Sequence, residues 1–252
     1  MDEALLARVE DAGLNASAPL EQRWMDGWLV RYSKGKARRA RCINAVAAGR
    51  LPLADKLQRC AALYRDAGLP LVFRITPFSQ PPALDAELAA LGLAALDDTR
   101  VMVNTALPAG PAPALPPGVC WLPLPAPAYA EAVGQLRGSP ESQRLAHAQR
   151  LASSPVPYHG YAIERDGEVL ACGQFTQEAE LAGLYDVFTR ERERGKGWAR
   201  LLCQRLLSLA ASQGAKVGYL QVEADNAPAR QVYARLGFAD GYAYHYRQRP
   251  GD

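Results

Sequence analysis

The sequence predicts an α/β (α+β) protein with a mixed, mostly antiparallel central sheet that is flanked by helices. Short apolar segments bounded by Gly, Pro and Asp alternate with longer segments of helical spacing. The order of hairpin, strand, helix, strand, helix and strand occurs twice along the chain. We therefore expect two related halves built on one plan.

The first half is predicted to form a hairpin followed by alternating strands and helices. Asp26 and Gly27 lie between apolar runs within residues 24–31, and an Asp-Gly dipeptide favours the tight turn of a β-hairpin. Gly68 and Gly92 stand where helices commonly end. Strands are further predicted at residues 41–46, 69–75 and 99–103, and helices at residues 53–67 and 84–91.

A proline-rich segment separates the halves. Residues 107–117 contain five prolines, which interrupt helices and central strands, so an extended linker is expected. We predict a first domain at residues 1–106, a linker at 107–118 and a second domain at 119–252.

The second half is predicted to begin with two helices, at residues 129–136 and 140–151. Asp166 and Gly167 form the turn of a second hairpin. The strands that follow are predicted at residues 160–164, 169–175, 182–189, 217–222 and 238–247, and the helices at residues 197–213 and 228–236.

The spacing of helix-ending glycines indicates a degenerate internal repeat. The interval from Gly68 to Gly92 is 24 residues and that from Gly214 to Gly237 is 23, and each spans a strand, a loop and a helix. The alternative is a chance likeness between two α/β halves.

The composition is that of a folded globular protein, with 49% hydrophobic and 22% charged residues and a formal charge of +3. This charge does not require a polyanionic partner. One basic cluster is better interpreted as a solvated hairpin flank than as a nucleic-acid contact. It consists of Lys34, Lys36, Arg38, Arg39 and Arg41.

The cysteine pattern fits reduced thiols in a cytoplasmic protein. The five cysteines are scattered, and neither a disulfide framework nor a zinc-ligand spacing is recognisable, so no metal is expected. The amino terminus has an acidic, amphipathic pattern rather than that of a signal peptide. No apolar run approaches the ~20 residues of a membrane span, so we expect a soluble protein.

Residues 194–199 form a Gly-rich turn between a predicted strand and a long amphipathic helix. The first amides of a helix have no internal partner, and the helix dipole makes their surroundings positive. Gly195 and Gly197 allow a bulky anion to approach the backbone. We therefore expect a phosphate or pyrophosphate site here. The P-loop and dinucleotide fingerprints are both absent.

Two linked motifs carry a family resemblance. The loop matches Q/R-x-x-G-x-G/A through Arg194, Gly197 and Ala199, and the pattern DN-x-x-A-R-x-x-Y-x-x-x-GF follows at residues 225–238. Residues 119–247 thereby resemble the GNAT superfamily of acyl-CoA N-acyltransferases. The resemblance implies a GNAT fold, acetyl-CoA as cofactor, and a first half that is a degenerate GNAT-like copy.

The resemblance also implies roles for single residues. The loop amides would hold the CoA pyrophosphate, the preceding strand would pair with the pantetheine arm, and Tyr233 would protonate the departing thiolate as general acid. Tyr233 could instead be a core aromatic, and Asn226 could also be a helix N-cap. The cofactor-binding residues implied are Val187, Phe188, Thr189, Arg194, Gly195, Lys196, Gly197, Trp198, Ala199, Arg200 and Asn226.

The general base is left open. Some protein-acetylating GNAT members have a glutamate where this chain has Gln221. Glu223 lies on the same strand face, and Asp186 could have a raised pKa if buried, although a salt-bridged role for Asp186 is equally compatible. A water chain or an amine that arrives deprotonated is a further alternative. Three histidines are interpreted as surface or packing residues: His147, His159 and His245.

In the first half, residues 47–52 occupy the place of the pyrophosphate loop. They lack its second small residue and are not expected to form its anion-binding helix start. The asparagine position falls at Gln80 or Pro81, and the tyrosine position is Leu88. We therefore expect one cofactor per chain, with the first half shaping the amine cleft.

The predicted function is transfer of an acetyl group from acetyl-CoA to a primary amine of a small molecule or protein. The reaction would be direct attack in a ternary complex, with Tyr233 as general acid. The alternative is a non-catalytic acyl-CoA-binding sensor or interaction module, because Gln221 removes one candidate base. A membrane partner is not expected, nucleic acid is disfavoured, and both a monomer and a homodimer are compatible.

Overall fold

The computed structural model describes residues 1–33, 37–108 and 110–251. The helices are α1 (Glu3–Ala16), α2 (Leu53–Ala67), α3 (Leu84–Ala90), α4 (Ala126–Leu136), α5 (Glu141–Ala152), α6 (Trp198–Ser212) and α7 (Ala227–Arg235). The strands are β1 (Gln22–Met25), β2 (Trp28–Arg31), β3 (Ile43–Asn44), β4 (Val72–Ile75), β5 (Ala94–Asn104), β6 (Val119–Leu124), β7 (Tyr158–Arg165), β8 (Glu168–Glu178), β9 (Leu181–Thr189), β10 (Val217–Glu223) and β11 (Ala239–Gln248).

Packing divides the chain into two compact units, and neither is continuous in sequence. The C-terminal unit holds residues 1–16 and 101–241, and the N-terminal unit holds residues 17–100 and 242–252. The domain limits expected at residues 106 and 119 stay a prediction, because these units are defined by contacts rather than by independent folding. They differ from that prediction at both chain ends and within β5.

The N-terminal unit has the strand order β1-β2-β3-β4-β11. Its first three strands are antiparallel neighbours, β3 and β4 are parallel, and β11 is antiparallel to β4. The predicted turn is confirmed, with φ of 45° at Asp26 and 83° at Gly27. Helices α2 and α3 cover a core that includes Trp28, Phe73 and Leu88.

The C-terminal unit has the strand order β5-β10-β9-β8-β7-β6. Strands β6 to β9 are successive antiparallel neighbours, whereas β9 and β10 are parallel. Adjacent residues of a strand point to opposite faces, so Ala171 packs in the core beneath α6 and Cys172 in the core beneath α4 and α5. Both faces of this sheet are therefore covered by helices.

The predicted repeat is confirmed by the order of the elements. In each half, an antiparallel hairpin and a third strand lead through a loop and a helix to a parallel strand, which a helix and a final strand follow. The final strands are exchanged, because β11 lies beside β4 and β5 lies beside β10. The sequence pattern did not predict this exchange.

Strand β6 was missed by the sequence analysis, because Pro123 and Pro125 lie in or beside it. Proline is tolerated in an edge strand, and β6 stands at the end of the sheet order and pairs only with β7. Strand β3 is shorter than the predicted residues 41–46, and β5 is longer than the predicted residues 99–103.

Several other expectations can be placed on the structure. All five cysteines are free thiols. In the described ranges, no group of three or more potential metal ligands is present, and no helix is long and apolar enough to cross a membrane. Of the basic cluster, Lys34 and Lys36 lie outside the described residues, and Arg38 pairs with Asp97 at 3.0 Å.

Candidate active site

The Gly-rich loop leads from β9 through a short 3-10 helix at Glu191–Glu193 into the N-terminus of α6. Gly197 is the N-cap residue with φ of 87°, and no side chain caps the helix. The first amide that donates a hydrogen bond within the helix is that of Leu201, which donates to the Gly197 carbonyl at 3.1 Å. The three preceding amides, those of residues 198–200, therefore have no hydrogen-bond acceptor within the described chain.

The loop is open toward its glycines. A Cβ atom built on Gly195 or Gly197 would meet no atom within 4 Å. The Glu193 carboxylate accepts hydrogen bonds from Lys196 Nζ at 2.9 Å and from Trp198 Nε1 at 3.0 Å. These two bonds lower the pKa of Glu193, and they connect the loop to the first residue of α6. The loop can thus present the free amides of residues 198–200 to an anion.

Strands β9 and β10 pair over only part of their length. Their parallel register runs from Leu181 opposite Val217 to Leu184 opposite Leu220. Beyond these pairs, no ladder joins residues 186–189 of β9 to residues 222–223 of β10. One main-chain edge of β9 is therefore available to an extended ligand.

A β-bulge lies in β9 where the two strands separate. Strand β8 contributes one residue, Gly173, opposite two residues of β9, Asp186 and Val187. Asp186 has φ of 50°, a left-handed conformation that is uncommon for a residue other than glycine. The hydroxyl of the buried Tyr129 donates a hydrogen bond to the Asp186 carbonyl at 2.8 Å, which holds the backbone of the bulge.

The Asp186 carboxylate is held by side chains from α4, α5 and β8. Its partners are Arg137 at 3.2 Å, Gln174 Nε2 at 2.9 Å, His147 Nε2 at 3.2 Å and Arg150 at 3.7 Å. Burial of Asp186 acts to raise its pKa. The adjacent His147 imidazole and the charges of Arg137 and Arg150 outweigh that effect and lower the pKa well below its usual value.

The structure distinguishes between the alternatives left open for this cluster. The pKa of Asp186 is not raised, so its carboxylate is a poor proton acceptor, and the contacts favour the salt-bridged alternative. For His147, packing rather than a surface position applies, because its side chain is only 15% exposed and lies against Asp186 and the Tyr129 ring. The polar neighbours of His147 in sequence concealed this placement.

Tyr233 lies on α7 and packs edge-on against Phe238, with ring centroids 6.1 Å apart. Burial, and to a smaller extent Cys203, raises the pKa of Tyr233 above its usual value. No hydrogen bond of its hydroxyl is found in the ranges that the structure describes. Tyr233 therefore belongs partly to the core, as the alternative interpretation had it, and keeps its proton at neutral pH.

The N-cap role expected for Asn226 is confirmed. Asn226 Oδ1 accepts a hydrogen bond from the Ala229 amide at 3.2 Å at the start of α7. Glu223 is exposed at the end of β10, two residues beyond Gln221. His159 stacks on Phe175 at 4.8 Å, which agrees with its interpretation as a packing residue.

The arrangement can bind a ligand that has an anionic group at the loop and an extended chain along β9. Comparison with known proteins identifies the family. A family model described as "Probable histone acetyltransferase Rv0428c C-terminal" matches residues 4–248.

The chain belongs to this family.

Similar proteins agree with this assignment. The chain is 25% identical over 238 residues to the protein named "Uncharacterized N-acetyltransferase YobR" of Bacillus subtilis (strain 168), covering 90% of this chain and 91% of that protein. The structure of a GCN5-related N-acetyltransferase from Kribbella flavida is similar with a TM-score of 0.68 at 17% identity, covering 98% of this chain and 96% of that chain. A tandem GNAT protein from the clavulanic acid biosynthesis pathway is similar with a TM-score of 0.64 at 18% identity, covering 79% and 70% of the two chains.

The GNAT fold and the two related halves expected from the sequence are thus confirmed. The names of the relatives support N-acetyltransferase activity of the GNAT type. GNAT N-acetyltransferases use acetyl-CoA, which has a pyrophosphate and an extended pantetheine arm.

Proposed function

We propose that this protein transfers an acetyl group from acetyl-CoA to a primary amine of a small molecule or protein by direct attack in a ternary complex. One observation carries the proposal. An uncapped helix start with three free amides stands at the end of the strand whose edge is unpaired. A free diphosphate would need only the helix start, whereas CoA needs both the helix start and the strand edge.

The chain has suitable groups for each part of the cofactor. The amides of Trp198, Ala199 and Arg200 would hold the pyrophosphate, and the loop from Arg194 to Gly197 would surround it. The main chain of residues 187–189 would pair with the pantetheine arm. Asn226 would contact the cofactor through its amide nitrogen, because its Oδ1 already caps α7.

Acetyl-CoA supplies an activated thioester carbonyl for this reaction. The amide groups at the bulge of β9 would stabilise the oxyanion that forms when the amine nitrogen attacks the carbonyl carbon. As the carbon–sulfur bond breaks, the Tyr233 hydroxyl would donate its proton to the sulfur. The proton lost by the amine would pass to Glu223 or to water. Most of the acceleration would come from holding the two substrates in line.

A non-catalytic acyl-CoA sensor is the second candidate. It is favoured by the glutamine at position 221 and by the exposure of Glu223 to solvent, since β10 then has no buried carboxylate. A sensor would bind CoA without needing the proton of Tyr233.

Calorimetric titration with acetyl-CoA and thiol release across a panel of primary amines test the proposal. We expect one binding event and amine-stimulated release of CoA thiol, which Tyr233→Phe strongly reduces. Tyr32→Phe, in the N-terminal unit, is the control. Binding without amine-stimulated turnover would favour the sensor, and absence of binding would reject both candidates.

A further inference from the structure

In both halves, the loop after the strand that pairs with the Asp-Gly hairpin contacts that hairpin at or near the start of its second strand. In the N-terminal unit, the turn of β1 and β2 contacts the loop after β3, since the Ala47 amide donates to the Gly27 carbonyl at 2.8 Å. In the C-terminal unit, the segment after β9 likewise contacts the start of β8, where the Arg190 amide donates to the Leu170 carbonyl at 2.9 Å. The two loops are therefore equivalent in position.

In the N-terminal unit, the turn aspartate reaches into the loop. The Arg50 amide lies 2.9 Å from both carboxylate oxygens of Asp26, and the Leu51 amide lies 2.9 Å from Oδ2. Both amides stand just before α2, which no side chain of its own N-cap residue caps. Arg50 and Leu51 precede Pro52, the N-cap residue of α2, so the carboxylate binds amides of the loop next to the start of the helix.

A buried lysine completes the enclosure of the carboxylate. Lys56 Nζ lies 3.1 Å from Asp26 Oδ2, and the Lys56 side chain is 2% exposed. The same Nζ donates to the Ala48 carbonyl and lies 4.5 Å from the centre of the Trp28 ring. A Cβ atom on Gly49 would collide with Asp26 and with Lys56 Nζ. Glycine at position 49 therefore allows an anion to approach the loop closely, and that anion is the Asp26 carboxylate of the same chain.

The equivalent aspartate of the other half makes no such contact. Asp166 has the same left-handed backbone, with φ of 53° against 45° at Asp26, but it is exposed. Within the described residues, no hydrogen bond to the Asp166 carboxylate is found, and the loop at residues 194–199 is open. The two halves thus differ in whether the turn carboxylate fills the loop.

We propose that the Asp26 carboxylate is an internal ligand that occupies the degenerate pyrophosphate site of the N-terminal half. That half then binds no CoA, and removal of the carboxylate opens a site for a small oxyanion. The loop at residues 47–52 still binds an anion through its amides, and the chain itself supplies that anion. The expected number of CoA molecules bound per chain rests on the proposed function, whereas the oxyanion site does not.

Chemical rescue of Asp26→Gly tests the oxyanion site. Glycine accepts the positive φ of this position, so the variant removes the carboxylate and leaves the turn intact. We expect a lower Tm for Asp26→Gly and a selective rise in its Tm with sodium formate, compared with sodium chloride at equal ionic strength. Asp166→Gly is the matched control, because it makes the same change in the equivalent turn, and formate should leave it unchanged.

Equal effects of formate on Asp26→Gly, Asp166→Gly and the wild type would overturn the proposal. If Asp26→Gly does not fold, Asp26→Asn provides the second test, because its amide fills the space. Asp26→Asn should be less stable than the wild type and should show no rescue by formate, and rescue would contradict the internal-ligand assignment.

Calorimetry of the full chain with CoA gives the binding count. One site per chain is expected for the wild type, and two sites would overturn the inference. No binding at all would reject the proposed function, while the formate experiment would still decide the occupancy of the N-terminal loop.

Discussion

The carboxylate of Asp186 connects the bulge of β9 to the helices that pack on the sheet. Its charge is balanced by Arg137 and Arg150, and the His147 side chain also contacts it. Its backbone occupies the bulge where β9 leaves β10. We interpret Asp186 as a positioning residue that joins the helix pair to the amides of the bulge.

Asp186→Asn separates positioning from general-base catalysis. The change removes the negative charge and leaves Arg137 and Arg150 without their shared partner, so the bulge should loosen and kcat should fall by about tenfold or more. The acidic limb of the pH–rate profile should keep its midpoint, because a carboxylate with so low a pKa does not titrate there. Loss of that limb in Asp186→Asn would identify Asp186 as the base. Glu223→Gln tests the other candidate base in the same assay.

Tyr233→Phe tests the proton donor. Loss of a general acid commonly costs about 10²-fold to 10⁴-fold in rate, so kcat should fall in that range while the KM for acetyl-CoA changes little. The raised pKa of Tyr233 keeps the acid form present in alkaline solution. Wild-type activity should therefore not fall through titration of Tyr233 below about pH 10. A change in KM alone would indicate a packing role.

Asp26 gives the stability of the protein a defined pH dependence. The Leu51 and Arg50 amides, together with Lys56, lower the pKa of Asp26 to about 2, whereas an unfolded aspartate has a pKa of about 3.9. A lowered folded-state pKa means that the contribution is complete above the unfolded value and is lost as the pH falls toward the folded value. The difference in Tm between wild type and Asp26→Asn should be constant from pH 7 to 5 and should shrink from about pH 4 to 2.

At the level of elements, the start of α6 depends on glycine. Gly197 has φ of 87°, which costs other residues about 1–2 kcal/mol. Gly197→Ala should therefore lower stability and raise the KM for acetyl-CoA severalfold. Gly167→Ala is the control, because that glycine has φ of 78° in the exposed turn of β7 and β8. It should show a similar loss in Tm with an unchanged KM, and equal KM effects would contradict the loop assignment.

The elements that carry local signals could be predicted from the sequence. Helix α6, the turn at Asp26 and the N-cap at Asn226 follow from periodicity, turn chemistry and capping, which are properties of neighbouring residues. The anchoring of Asp186 could not be predicted in this way. Its partners Arg137, His147 and Arg150 lie on helices far along the chain, and their sequence neighbours are those of exposed helices.

At the level of the whole molecule, the exchange of final strands makes each unit depend on both halves of the sequence. The C-terminal unit contains α1 and residues 101–104 of β5 in addition to the region of the GNAT motifs. The exchange could not be predicted, because apolar periodicity identifies a strand but not the strand beside which it lies.

A fragment of residues 119–252 should therefore not fold on its own, although it contains every predicted cofactor-binding residue. The fragment lacks α1 and β5, which lies beside β10 on the side away from β9. It also lacks β4, the partner of β11. Circular dichroism and size-exclusion chromatography should show an unfolded or aggregated fragment, and co-expression with residues 1–118 should restore a folded complex. A monomeric fragment that binds acetyl-CoA would contradict this expectation.

The pairing of β11 with β4 also determines when the sheet can be completed during synthesis. Residues 72–75 leave the ribosome long before residues 245–248, which are their partners. Domains commonly fold in order from the amino terminus during synthesis, but here β4 gains this partner only after residues 245–248 have been translated. A nascent chain would expose the edge of β4 that β11 later covers throughout that interval, and an exposed strand edge can pair with another chain.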